Sequence, residues 1–306
     1  MPLTEPAFVE TREHRRFVEF CEACRRERYV GLCFGPPGVG KTMSARRHAR
    51  WDVLAAHAFA SEIDDEQLAD VAAQRTLLYT PAVVNAPGSV RAGLQAAAER
   101  LLDVAREPGR RALGRQLEAQ SSRRAEHRAR LQSDYDWLQA APSERPVETL
   151  APDSPTRGPW PAPADLVIID EADRLKPNSL EQVRDMFDRA DTGVALIGMP
   201  GFEKRLARQP QLYSRIGFVH SFQPLPAEEL EILLTERLDA LGIELNAARS
   251  IAPDALAAIH RATAGNFRLV VRLLGQVTRI MALNGLDQIT LAAVEAARES
   301  LVIGAV

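Results

Sequence analysis

Apolar positions along this chain follow two rhythms. Short unbroken apolar runs alternate with stretches in which apolar residues recur every three or four positions. The first unbroken run is Tyr29–Phe34, which meets Gly35. Thr76–Val84 is a β-rich stretch closed by Pro87 and Gly88, and Leu166–Ile169, Gly193–Ile197 and Phe218–Pro224 follow. Runs without polar alternation are strands covered on both faces, as in a parallel sheet. Helical spacing lies between them. Phe17, Val18, Phe20, Cys21 and Cys24 sit among the charges of residues 12–28 and predict an amphipathic helix leading into the first strand. Further helices are expected over Thr42 to about Ala60, with Trp51 and Phe59 on its core face, and over Val90–Arg106, capped by Ser89. Two more are expected over Ser179–Ala190 and Gly201–Ala207.

Strands alternating with helices imply an α/β fold, a parallel sheet wrapped by helices. From Pro226 onward the pattern is helical only, in four segments punctuated by Gly265 and Gly285. The expected organisation is a helical extension over 1–28, an α/β core over 29–225 and an all-helical domain over 226–306. Residues 107–164 read as an insertion into the core. Its first part is Arg-rich, with eight Arg against three Glu over 106–130. Its second part, APSERPVETLAPDSPTRGPWPAPAD, is Pro-rich and aperiodic, which predicts an extended linker.

Composition narrows the class. The 306 residues are 46% apolar and 26% charged, ordinary values for a globular chain of about two domains. No run of about 18 apolar residues predicts a membrane span. The start, MPLTEPAFVETREHRR, lacks the apolar core of a secretory signal. Three Cys cannot build a disulfide framework, so a reducing cytoplasm is expected. The net charge of −3 leaves room for local basic patches. Lys is used only at positions 41, 176 and 204, and the first of these falls where chemistry asks for it.

Gly35, Pro36, Pro37, Gly38, Val39, Gly40, Lys41 and Thr42 match G-x-x-x-x-G-K-[ST] in full. A polyphosphate is gripped by backbone N–H groups curled around it, and only Gly permits the required backbone angles and close approach. The following helix adds its positive end. Lys41 would reach the β- and γ-phosphates, and the Thr42 hydroxyl would bind Mg²⁺. Leu166, Val167, Ile168 and Ile169 run into Asp170 and Glu171 at the edge where open α/β sheets bind ligands. Asp170 would hold the Mg²⁺, and Glu171 would polarise the attacking water in ATP hydrolysis. The tetrapeptide at 170–173 spells DEAD, but the chain is too short for a two-core helicase. Two Arg are candidates for the charge developing on the γ-phosphoryl group. Arg215, before the fifth strand, is placed to act on a neighbouring subunit's nucleotide, and Arg268, at a helix start in the last domain, on its own.

GPPGVGKT, LVIIDEAD, SRIGF and GNFR, in this order and followed by a helical lid, resemble AAA+ ATPases over about 30–105 and 165–300. PGSVRAGLQAAAERL, DEADRLKPNSLEQVRDMFD and IGMPGFEKRLARQPQLYSRIGFVHSFQPL are similar to the DNA-transposition ATPases of the MuB/TniB/TnsC group. That resemblance implies an AAA+ core with a helical lid, ATP binding, and assembly into rings or helical filaments on DNA. It further implies delivery of target DNA to a transposase, and leaves room for a target-selection protein. By it Arg215 becomes a trans-acting Arg finger and Arg268 a sensor in the lid. The chain departs from the pattern twice. Leu196, Ile197, Gly198 and Met199 offer no polar sensor at the end of strand four, which bears on the hydrolysis rate. The N-terminal segment is too short for the helix-turn-helix domain of the Mu protein, so DNA contact would come from the core.

Arg91, after strand two, and Arg174 and Lys176, after strand three, are candidates to track duplex phosphates with little sequence preference. The run Arg106–Arg130 is a second candidate surface. Cys21 and Cys24 form a lone pair on a helix, and the six His show no ligand spacing. The expected function is an ATP-dependent, DNA-binding, oligomeric regulator of transposition. The alternatives are an ATP-switched adaptor or scaffold for protein partners, linked to secretion or signalling, and a nucleotide-binding remnant without hydrolysis.

Overall fold

The computed structural model describes residues 8–133, 164–236 and 251–301. Five strands form one parallel sheet: β1 Val30–Phe34, β2 Thr76–Tyr79, β3 Leu166–Ile169, β4 Gly193–Gly198 and β5 Ile216–Ser221. Their spatial order is β2-β3-β4-β1-β5. The registers Val30↔Val194, Thr76↔Leu166 and Leu166↔Gly193 align the strands so that all end at one edge. The residues of β3 and β4 are buried throughout, as unbroken apolar runs require. β5 closes one edge and is partly open to solvent.

One face of the sheet packs against α1 (Arg12–Glu27), whose Phe17, Phe20, Cys21 and Cys24 form a second core with Cys33, Ile168 and Ile197. Thr11 caps this helix by accepting from the His14 N–H. The other face is covered by α4 (Asp65–Gln74), α5 (Pro87–Ser133) and α6 (Pro177–Arg189), which bring Leu68, Leu94, Leu101 and Leu180 onto Val167 and Leu196. Two short helices, α7 (Phe202–Leu206) and α8 (Pro210–Tyr213), lead to β5. The last domain comprises α9 (Ala227–Glu236), α10 (Pro253–Thr263), α11 (Phe267–Asn284) and α12 (Leu291–Glu299) around Leu234, Ile259, Leu274, Val277 and Val294. No helix among the described residues is long and apolar enough to cross a membrane.

Several expectations are corrected. The helix expected over 42–60 is two helices, α2 (Lys41–His48) and α3 (Trp51–Ala56), because Arg50 turns left-handed at φ 51°. α3 then ends at Ala56, where His57 is extended, so Phe59 lies outside the helix and is 68% exposed, while Trp51 stays packed against the core. The second strand stops at Tyr79, and 80–86 is loop. Ser89 is not the cap of α5, which starts at Pro87, although its Oγ accepts from the Ala86 N–H at 2.9 Å. The helix expected to end at Arg106 continues through the Arg-rich stretch to Ser133, with Pro108 inside it. Glu107 is buried, and Arg110 and Arg111 pair with it at 3.0 and 3.1 Å. Arg111 also pairs with Asp65 and donates to the Ile63 carbonyl. These two Arg are structural, which removes them from the candidate DNA surface. The Pro-rich segment over 134–163 and residues 237–250 of the lid lie outside the described residues.

His14 of α1 and His48 of α2 are buried, and His220 of β5 is half-buried. Burial pushes His48 down to about 3, helped by Arg25, His14 and Arg50, and these outweigh the Glu22 carboxylate 3.6 Å away. Burial also lowers His14 and His220. The unfolded chain therefore takes up protons near the ordinary value of 6.5 that the folded chain refuses. Stability from these groups is complete above that value and declines as pH falls below it, by about 1.4 kcal/mol per unit for each fully coupled proton. The melting temperature is expected to drop between about pH 7 and about pH 5, and His48→Gln to flatten that drop. A melting temperature level across this window would contradict the assignment.

Candidate functional site

The turn between β1 and α2 makes the site. Gly38 and Gly40 take φ of +81° and +112°, angles that L side chains rarely adopt. A Cβ on Gly38 would also stand 2.6 Å from Asn266 Oδ1 and 3.0 Å from the Arg268 Cβ. The turn therefore curls with lid residues directly behind it, and the first N–H groups of α2, free of helical partners, face the cleft. Lys41 is 9% exposed and folds back on the loop, its Nζ donating to the carbonyls of Gly35 at 2.6 Å and Pro36 at 2.7 Å. Burial lowers its pKa, and nearby Asp170 and Asp173 oppose that shift.

Asp170 directly follows β3, which β4 separates from β1 in the sheet. It is 3% exposed, and its Oδ1 accepts the Glu171 N–H at 2.9 Å. Burial raises its pKa, while the Thr42 hydroxyl, the Glu171 N–H and Lys41 pull it back. Glu171 adopts φ +52°, a strained angle for a non-glycine residue and one that concentrates at functional sites. Its carboxylate pairs with Arg174. A cleft of about 400 Å³ joins Gly38, Gly40, Lys41 and Thr42 to Asp170, Glu171 and Arg268. Ile197, Gly198 and Met199 line it from β4, so the end of that strand contributes no polar side chain.

The donor chemistry suits a magnesium nucleotide. Two left-handed glycines make a cradle for phosphate, and a buried carboxylate beside a hydroxyl is a hard oxygen pair of the kind Mg²⁺ prefers. Thr42 and Asp170 are the residues that would hold the ion.

The lid touches the loop directly. Asn266 Nδ2 donates to the Pro37 carbonyl at 2.7 Å, and the Arg268 N–H donates to the Gly38 carbonyl at 3.0 Å. Gly265, at φ +72°, passes so close to Leu225 that a Cβ would fall 2.0 Å from its carbonyl oxygen. Asn266 escaped the sequence reading, although its position as an N-cap, accepting from the Leu269 N–H, gave a signal.

Arg215 stands elsewhere. It precedes Ile216, which is in register with Val30 at the start of β1, whereas the phosphate turn follows Phe34 at the far end of that strand. It therefore sits at the opposite edge of the sheet from its own cleft. Its guanidinium is bonded to Asp188 on α6.

Of the candidate DNA residues, Arg91 lies in α5 just after the loop over 80–86, and Arg174 and Lys176 lie between β3 and α6, and the two segments are tied together. Asn85 is 4% exposed, and its Nδ2 donates to the Ala82 and Arg174 carbonyls at 3.0 Å each. Arg205 supports the second loop by donating to the Asp173 carbonyl at 2.6 Å and the Leu175 carbonyl at 2.9 Å. Arg91 and Lys176 are exposed and form no ion pair among the described residues. Arg174 is exposed too, but its charge is committed to Glu171. Asn85, Arg205 and the exposed Val83–Val84 tip of the first loop were not singled out from sequence.

Residues 24–206 match the AAA domain family. A potential ATP-binding protein of Staphylococcus aureus is 34% identical over 97% of this chain and 97% of its own length. RuvB of Thermotoga maritima, described as a Holliday junction branch migration motor, is similar in structure at a TM-score of 0.51 and 17% identity, over 97% of this chain and 71% of its own. A point variant of the same RuvB gives 0.52 over the same shares. With the glycine turn, the buried acid and the five-stranded parallel sheet in place, the chain belongs to the AAA domain family.

Proposed function

We propose that this protein hydrolyses ATP slowly and uses the nucleotide to assemble on duplex DNA as a regulator of transposition. The observation that carries this reading is one continuous edge of the sheet. It holds the phosphate turn and the Asp170–Glu171 pair, and Asn85 ties the segment after β3, where the exposed Lys176 precedes α6, to the loop that leads into α5 and its exposed Arg91. Lys41 orients the triphosphate, and Glu171, once free of Arg174, takes up a proton from the attacking water. Mg²⁺ held by Thr42 and Asp170 would neutralise charge on the phosphates. The apolar end of β4 gives no extra hydrogen bond to water, which supports slow turnover.

Arg268 would contact its own nucleotide from the lid. Arg215, a strand's length from its own cleft, would complete the site of a neighbouring copy, so the working form is a ring or helical filament. Its partners are a transposase and, by the same resemblance, a target-selection protein. RuvB, a DNA motor of the same fold, agrees with this reading without carrying it. A protein-directed adaptor is favoured by one feature, the Val83–Val84 tip, at 74% and 82% exposed.

Gel shift with random-sequence duplex separates the two. Binding is expected with a non-hydrolysable ATP analogue and not without nucleotide. Replacing both Arg91 and Lys176 with Ala is expected to weaken it equally on all sequences and to reduce the salt slope by about two. Absence of nucleotide-dependent DNA binding by the folded protein would favour the adaptor.

A further inference from the structure

Arg215 is not a free cation. Its Nε donates to Asp188 Oδ1 at 2.5 Å and its Nη2 to Asp188 Oδ2 at 2.8 Å, a two-pronged grip. Its Nη1 donates to the Gln211 carbonyl and to Ser214 Oγ. The side chains of Arg215 and Asp188 are 31% and 28% exposed, so the pair lies at the surface. Hydrogen bonding to Arg215 holds the Asp188 carboxyl below its ordinary range, so the carboxylate is charged at neutral pH. The same carboxylate also takes Arg184, which pairs in turn with Glu181.

A planar guanidinium fork fits a carboxylate and a phosphate equally well. A guanidinium already neutralised by a carboxylate contributes little to the charge developing on a γ-phosphoryl group. We propose that Asp188 occupies the place of a neighbouring copy's γ-phosphate, holding Arg215 until a triphosphate at an assembled interface displaces it. This rests on reading Arg215 as acting in trans. Arg184 lowers the cost of the exchange, because Asp188 keeps one cation when Arg215 leaves. ADP lacks the competing group, so copies carrying ADP retain the intramolecular pair. Asp188 is thus a positioning residue that makes the interface sensitive to the γ-phosphate.

The test follows phosphate release against protein concentration for wild type, Asp188→Asn and Arg215→Ala. It also follows assembly by sedimentation velocity with a non-hydrolysable ATP analogue and with ADP. Asn keeps the shape but cannot hold both prongs. Asp188→Asn is expected to reach half-maximal turnover and assembly at about threefold lower concentration or less, the scale of a partly exposed ion pair. With ADP its assembly is expected to match wild type, a distinction that a general packing defect would not produce. Asp188→Ser is carried in parallel, so a folding failure in one variant leaves the other readable. An unchanged or raised midpoint, or the same shift with ADP, overturns the proposal. Inactive Arg215→Ala beside an unshifted Asp188→Asn removes this inference alone. Wild-type turnover by Arg215→Ala removes the trans reading beneath it.

Discussion

Lys41→Ala is expected to weaken nucleotide binding by about 10- to 100-fold or more, because each hydrogen bond to a charged phosphate oxygen is worth roughly 1.5–3 kcal/mol. Lys41 is 9% exposed and already desolvated at the mouth of the phosphate turn, so little further dehydration opposes its move onto a ligand. Its Nζ is held by the Gly35 and Pro36 carbonyls. Both belong to the loop that would receive the phosphates, so the atom that organises the turn is also the one placed to bind them. Removing it leaves two carbonyls beside an open cleft, where water can replace the lost donors. The fold is expected to hold within about 1 kcal/mol. A thermal melt separates that small change from the large loss of affinity, and under the proposed function nucleotide-dependent DNA binding falls with it.

Glu171→Gln is expected to slow phosphate release by about 100-fold or more while leaving nucleotide affinity within about twofold, because the amide keeps the shape but cannot accept the proton. Its ion pair with Arg174 is partly exposed, so losing it is worth under about 1 kcal/mol of stability. The backbone angle that aims Glu171 is set by the turn after β3 and by the Asp170 carboxylate accepting its N–H, neither of which depends on the side chain. Trapped, nucleotide-bound assemblies should therefore persist longer on DNA than those of wild type. Single-turnover phosphate release is the readout. An unchanged rate would remove Glu171 from the reaction and favour a nucleotide-binding remnant.

The phosphate turn and the acidic pair were legible because each is contiguous in sequence. A glycine turn after an apolar run, and two acids after another, state both the element and the chemistry in a few adjacent residues. What escaped depends on distant pairings. Asp188 meets Arg215 across 27 residues, Asn85 meets Arg174 across 89, and Asn266 meets Pro37 across 229. No local pattern marks such partners. The helix expected to end at Arg106 continues to Ser133 with Pro108 inside it. The buried Glu107 pairs with Arg110 and Arg111 across that stretch, and Arg111 reaches Asp65 only once α4 is in place. The helix α4 itself left a usable trace, an Asp64 cap followed by Leu68 and Val71 at helical spacing. Phe59 falls outside the helix because α3 ends at Ala56 and His57 is extended, a stop that no Gly or Pro marks in the sequence.

A triphosphate held by the turn between β1 and α2 is the central claim. Isothermal titration calorimetry of the folded wild-type chain with magnesium ATP examines it without relying on turnover, DNA or any partner. Saturable heat with about one site per chain is expected, lost or strongly weakened in Lys41→Ala. A flat titration from wild-type protein with a normal melting transition would contradict it.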